Sequence, residues 1–147
     1  MLIVADTALF ELMNGSYTRL LGESLVKAGQ NASWLYEQAP FALLAHNTDP
    51  DPRFIYANCT AQKCFEYSWE EFLQLPSRLS AQAPAQLERQ RQLEQVSRNG
   101  YIRDYRGVRI SRSGRLFLIE NAVIWQLLDE HGISHGQAAR IDSWRDV

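Results

Sequence analysis

Three stretches of the chain bring chemistry-bearing side chains close together in sequence. His131 and His135 stand four apart, a spacing that on a helix would put both imidazoles on one side for a metal ion. Gly132 and Gly136 interleave them, so the stretch reads as a hairpin loop, and no third ligand is evident where a site needs three or four. Cys59 and Cys64 lie too far apart for a Cys-x-x-Cys redox pair and are too few for a disulfide framework. His46 closes a short apolar run and could approach Cys59 as its base, but no acid orients the pair. The other reading of His46 is a ring satisfied by backbone at a strand edge. Arg103, Arg106, Arg109, Arg112 and Arg115 recur every third residue, which does not place them on one face of a strand. They read as a solvated sheet edge rather than the clustered charge that nucleic acid needs. With no acid/base pair and no nucleophile triad, the chain is expected to bind rather than to catalyse.

More telling are polar residues where apolar ones are expected. A helix opening near Pro84 and stopping at Asn99-Gly100 should pack through Leu87, Leu93 and Val96. Leu87 lies about 120° from Leu93, and Gln86, Gln90 and Ser97 fall inside the arc between them, with Arg89 between Leu93 and Val96. Buried without partners these groups would be costly. Gln86, Arg89 and Gln90 therefore either line a polar cavity, with an acidic ligand suiting Arg89, or lie solvated on a half-buried helix. On the strand around Leu116–Trp125, Asn121 interrupts an apolar set of Phe117, Ile119, Val123 and Trp125. It is either a pocket residue or a satisfied core asparagine. Tyr105 and Trp125 could stack on a flat ligand or simply fill the core. Gln137, in the string Gly136-Gln-Ala-Ala139, has room beside it for a ligand or for close helix packing.

The elements that must position these residues follow from periodicity and turn chemistry. Ser16 is expected to cap a short helix through Leu21, Leu25 and Ala28, and Trp34–Tyr36 a second helical turn, both packing outside a sheet. Phe41–His46 and Phe54–Ala57 flank Asp49-Pro50-Asp51-Pro52 and read as a hairpin. Asn58 can cap a helix over Thr60–Phe65. Ser68-Trp69-Glu70-Glu71 is a capping box for a helix ended by Pro76. After the long helix come three strands, about Tyr101–Ile110, Arg115–Leu127 and Gln137–Trp144, turned at Ser113-Gly114 and His131-Gly132. Sequential hairpins pair first, and the first hairpin must join the same sheet to hide its apolar face. The expected fold is α+β, a five-stranded antiparallel sheet with the middle helices covering one face. Residues 1–33 form an N-terminal helical extension and residues 34–147 the domain proper.

Composition sets the bounds. The chain has 147 residues, enough for one domain with its own core. A net charge of −2 provides no basic field for nucleic acid or an anionic membrane. No apolar run approaches the ~20 residues of a spanning helix. Met1–Ala5 has no basic flank, and Asp6 and Glu11 interrupt it, so it is not read as a signal peptide. A reducing, cytoplasmic setting is expected, in which the sequons at Asn14, Asn31 and Asn58 carry no meaning.

The segment Phe54-Ile-Tyr-Ala-Asn58 followed by Phe65-Glu-Tyr-Ser-Trp-Glu-Glu-Phe72 resembles PAS domains. Further strings resemble the PAS-related MEKHLA domain family, of the free-standing bacterial type. They are Leu35-Tyr36, Pro40-Phe-Ala-Leu-Leu-Ala-His46, Asp51-Pro-Arg-Phe-Ile-Tyr-Ala-Asn58, Leu75-Pro-Ser-Arg-Leu-Ser-Ala81, Tyr105-Arg-Gly-Val-Arg-Ile110, and Gly136-Gln-Ala-Ala139 with Trp144. They cover most of residues 16–147. Members of this family also end some plant homeodomain leucine-zipper proteins, where a sensory or dimer-steering role is supposed. The resemblance implies a PAS-like fold with a cavity between the long helix and the sheet, and no enzymatic activity. Light-sensing PAS domains carry a reactive cysteine in a Gly-x-Asn-Cys-Arg-Phe-Leu-Gln segment where this chain reads Leu73-Gln-Leu-Pro-Ser-Arg78, so a flavin adduct is not expected. Haem-binding PAS domains use a histidine on the long helix, which has none here. No cofactor is named by these residues. The function expected is a sensor binding a small molecule and signalling through a homodimer or a separate protein. The alternative is a ligand-free interaction module with a filled core.

Overall fold

The computed structural model describes residues 7–73, 75–81 and 83–147. The apolar start Met1–Ala5 lies outside them. Five strands form one antiparallel sheet: β1 (Ala42–His46), β2 (Phe54–Ala57), β3 (Tyr101–Ile110), β4 (Leu116–Leu128) and β5 (Ser134–Asp146), in the order β2-β1-β5-β4-β3. The meander β3-β4-β5 pairs as its hairpin turns require. The first hairpin completes the sheet by laying β1 along β5, the α+β architecture expected from the sequence.

Helices cover the front of the sheet between β2 and β3: α3 (Cys59–Phe65), α4 (Trp69–Phe72) and α5 (Ala83–Asn99), with a 3-10 turn over Ser77–Ser80. Local capping explains where they begin. Ser68 accepts from the amide of Glu71, whose carboxylate accepts from the amide of Ser68, the full capping box. Pro84 sits in the first turn of α5, and Gly100, at φ 93°, turns the chain out of its end into β3. Asn58 does more than cap α3. Its Oδ1 accepts from the amides of Ala61 and Leu43, each at 3.0 Å, and its Nδ2 donates to the carbonyls of Leu35 and Phe41 at 3.1 and 3.0 Å. One fully buried carboxamide thereby ties β1 and α3 to the helix behind the sheet. In the front core Phe54, Phe65, Phe72 and Phe117 pack edge to face at centroid distances of 5.0–5.8 Å.

The back of the sheet carries α1 (Thr7–Leu21) and α2 (Ala32–Glu37). Here Ser16 departs from its expected place. It is not an N-cap but a fully buried residue within α1, because the apolar stripe Phe10, Met13, Tyr17, Leu21 starts upstream of it. Its Oγ donates to the carbonyl of Gln126 and accepts from the amide of Leu128, which pins α1 to β4. The helix stops at Gly22, φ 79°. Tyr17 meets Trp125 edge to face at 4.8 Å. The N-terminal segment thus shares one core with the back of the sheet.

The two faces exchange residues partway along the sheet. Phe117 and Ile119 of β4 face the front core, as do Ala122 and Ile124, whereas Val123, Trp125 and Leu127 face the back. Between the two sets Asn121 adopts φ 54°, and on β3 Asp104, at φ 56°, separates Ile102 from Tyr105 in the same way. A left-handed residue in each strand breaks the period of two, and side chains beyond it change face.

Replacing Asn58 by Ala takes their carboxamide partner from two amides and two carbonyls in a fully buried site. It is expected to lower stability by at least about 3 kcal/mol in urea unfolding. Trp125→Ala, at a position with no exposed surface, is expected to cost about 3–5 kcal/mol, and an unchanged melting curve would contradict the packing of α1 on β4.

Candidate functional site

Between α5 and the front of the sheet lies a cavity with about 50 Å³ of free space. Leu44, Phe54, Leu93, Ile119, Ile124 and Ile141 supply its apolar wall. Against that wall stand five polar side chains that are at most 9% exposed: His46, Ser80, Arg89, Arg109 and Gln137, of which Ser80 spends its hydroxyl on the carbonyl of Ser77. The space suffices for a few waters or a small ion or molecule and is far below the ~300–1,000 Å³ of pockets for drug-sized ligands.

Each group arrives from a different element. His46 ends β1 and pairs in register with Gln137 of β5. The two strands approach so closely there that a Cβ on Gly136 would lie 1.9 Å from the carbonyl oxygen of His46, which a glycine at φ 134° avoids. The Nδ1 of His46 lies 3.0 Å from the carbonyl of Asn47, while Nε2 is buried without a partner. Gln137 donates through Nε2 to the carbonyl of Leu93 and to Ser97 Oγ, at 3.0 and 3.1 Å, holding α5 to the sheet, and its Oε1 is buried without a partner. Arg109 donates to its neighbour's carbonyl at Val108 and to the Tyr105 hydroxyl, each at 2.9 Å. Tyr105, Gly107 and Arg109 alternate on one face of β3. A Cβ on Gly107 would lie 2.6 Å from the Tyr105 hydroxyl and 2.9 Å from Arg109 Nη1, so the glycine makes room for that pair. Arg89 comes from α5, and burial together with the Arg109 charge lowers its pKa to about 10.

Of the residues singled out in the sequence, Arg89 and Gln137 meet in this cavity. The other five do not. Gln86 turns back to donate to the carbonyl of Ala81, which precedes α5. Gln90 is exposed and borders a shallow outer depression of about 290 Å³, separated from the cavity by His46, Leu93 and Gln137. Tyr105 lies beside the cavity as a support for Arg109 rather than as a stacking surface. Asn121 is exposed, its amide donating to Ser143 Oγ, because its own left-handed conformation takes it off the apolar face. Trp125 lies on the opposite side of the sheet for the same reason. The expected stripe on α5 is narrower than its sequence implies: Val96 is buried, Leu93 half-buried and Leu87 59% exposed. Arg109 is the residue that sequence reasoning missed. It was grouped with the solvated arginines, although its two-residue steps to Gly107 and Tyr105 put it on the face of a buried aromatic.

The residues present do not fit a flavin adduct. No cysteine lines the cavity. Cys64 lies in the core, where burial raises its thiol pKa to about 12, which removes its nucleophilic character. The histidine pair of the hairpin loop is explained by structure: His135 Nε2 lies 2.9 Å from Asp129 Oδ2, and no group of three or more potential ligands occurs among the described residues.

Burial lowers the pKa of His46 from 6.5 to about 4, with the nearby Arg89 charge acting in the same direction and the Asn47 carbonyl opposing. The folded chain therefore keeps this ring neutral while the unfolded chain protonates it near 6.5. The contribution to stability is full above pH 6.5 and is lost as pH falls towards 4, by about 3 kcal/mol in all and roughly 2 kcal/mol by pH 5. Urea unfolding at pH 7 and pH 5 is expected to show this loss in the wild type and not in His46→Phe. Equal slopes in the two proteins would contradict a buried neutral ring.

Comparison with solved structures finds the same fold in proteins of low identity. A PAS domain from Colwellia psychrerythraea aligns with a TM-score of 0.65 at 14% identity, over 76% of this chain and 90% of that one. A fungal LOV domain photoreceptor aligns at 0.60 and 17%, over 90% and 89%. A PAS domain from a two-component sensor histidine kinase aligns at 0.57 and 19%, over 78% and 91%. Among curated proteins none matches the sequence. No helix among the described residues is long and apolar enough to cross a membrane. The model of the MEKHLA domain matches residues 7–146, nearly the whole chain, and with a PAS-like sheet, front helices and a cavity between them now described, the chain belongs to the MEKHLA domain family.

Proposed function

We propose that the protein is a sensory domain that takes a small molecule into the cavity between α5 and the sheet. It passes the change to another protein surface, either a second copy or a separate partner, and performs no catalysis. One observation carries this reading. Five buried polar side chains from five elements converge on one cavity, and two of their atoms, His46 Nε2 and Gln137 Oε1, have no partner. Native interiors pair nearly all such atoms, and an unpaired one costs about 1–3 kcal/mol. Ser77 Oγ and Trp125 Nε1 are also unpaired but lie apart, whereas the two atoms that share a cavity suit one occupant that pairs both. Neither a carboxylate nor a cysteine lines the cavity, which favours binding over acid–base or nucleophilic work. The fold shared with a photoreceptor and with a histidine-kinase PAS domain supports a sensory role.

The small free volume favours the competing reading of a filled core serving protein contacts, so the test must separate the two. Native mass spectrometry of the purified protein is paired with backbone NMR during addition of a mixture of small metabolites. The expected result is a bound mass, or saturable shifts confined to cavity residues such as Leu44, Ile124 and Ala139, reduced in Gln137→Leu. A bare chain whose cavity resonances respond to nothing in the mixture would overturn the sensory reading in favour of the interaction module.

A further inference from the structure

Surface and buried arginines differ here in their partners. Arg78, Arg106, Arg112, Arg115, Arg140 and Arg145 lie toward the surface, and each has a carboxylate within 3.6 Å. Arg89 and Arg109 are buried, share one cavity, and take part in no ion pair among the described residues. The acid nearest to them in the hydrogen-bond network is spent on neutral donors. Glu88 accepts from Gln92 Nε2 at 2.9 Å and from the Tyr105 hydroxyl at 3.2 Å, and only the tyrosine oxygen stands between it and Arg109. The Arg89 guanidinium makes no hydrogen bond among the described residues. Isolated charges are expensive in an apolar interior, and a guanidinium left with unused N–H groups is matched in shape and charge by a carboxylate or similar oxyanion.

Resting on the cavity reading above, we infer that the occupant is a small anion, a short-chain carboxylate or an oxyanion of similar size, held between Arg89 and Arg109. The apolar wall formed by Leu44, Ile124 and Ile141 accommodates a short alkyl tail. The free Oε1 of Gln137 accepts from a donor such as a hydroxyl on the ligand. A hydroxy acid satisfies all of these groups at once. Gly107 is part of the device, since its missing side chain lets Tyr105 hold Arg109 in place.

The test uses the full chain and six probes: acetate and lactate, nitrate and inorganic phosphate, and the uncharged acetamide and lactamide. Backbone NMR and thermal melting are followed during each titration. Acetate or lactate is expected to raise the melting temperature saturably and to shift cavity amides, while the amides of the same shape do neither. Nitrate or phosphate acting in place of the acids would identify an inorganic oxyanion as the source of the charge. Arg109→Gln and Gly107→Ala are each expected to weaken binding at least about tenfold, the loss of one charge-assisted contact. The anion-free Arg89→Met variant is expected to melt no lower than the wild type, which separates loss of binding from loss of fold. Acids and amides binding equally well would overturn the charge inference and leave the occupied cavity standing. No response to any charged probe, alongside a cavity response to uncharged metabolites, would do the same. No response to either would overturn both.

Discussion

Two left-handed residues set the layout of this domain. Asp104 on β3 and Asn121 on β4 leave the extended conformation at φ 56° and 54°, and the alternation of side chains shifts by one residue beyond them. Aspartate and asparagine tolerate this region better than other residues with a Cβ. Because the strand period is two, the consequence extends over the whole sheet. Before the break, Phe117 and Ile119 look toward α3 and α5. After it, Ala122 and Ile124 do so, and Val123, Trp125 and Leu127 become available to α1. Without it, an indole would stand where the cavity is, and α1 would lose the surface that Tyr17 and Met13 cover. The front cavity and the back core are two results of one local conformation.

That dependence explains what could be read from the chain and what could not. Elements, order and pairing were legible because each rests on short-range chemistry: the Ser68 capping box, Asn58 before α3, Gly100 after α5, and the glycine turns of the meander. The cavity's position was legible through the family resemblance and the polar interruption of α5. Individual site residues were less so. Asn121 was read as a polar residue on an apolar face, when it is the residue that ends that face. Trp125, two positions further on, was carried to the wrong side with it. Ser16 looked like a helix start because capping and buried bonding to a distant strand, here the Gln126 carbonyl, use the same hydroxyl. Arg109 was hidden by its neighbours: four other arginines at the same spacing are salt-bridged or bonded to backbone near the surface. Only its alternation with Gly107 and Tyr105 distinguished it.

The burial of Arg89 and Arg109 is best understood beside the rest of the interior. Asn58 shows that this chain can satisfy a buried polar group completely, with all four of its hydrogen-bonding positions filled by backbone. The cavity groups are not handled in that way. His46 is kept neutral by its surroundings, Gln137 uses its donors and leaves its acceptor idle, and the two guanidiniums face each other's field with no acid between them. A well-satisfied network would rigidify the core, whereas a half-satisfied one is less stable than apolar filling of the same volume. Departures of this kind concentrate where a protein works. A charge held out of water with its donors free binds an opposite charge more strongly than a solvated one can, because little hydration remains to be removed. The occupied state then gains stability in proportion to the ligand's affinity and concentration. The same unpaired atoms that are costly within the fold make pairing by a ligand favourable, and α5, bonded to the cavity through Gln137 at Leu93 and Ser97, is the element on which the difference between the two states would act.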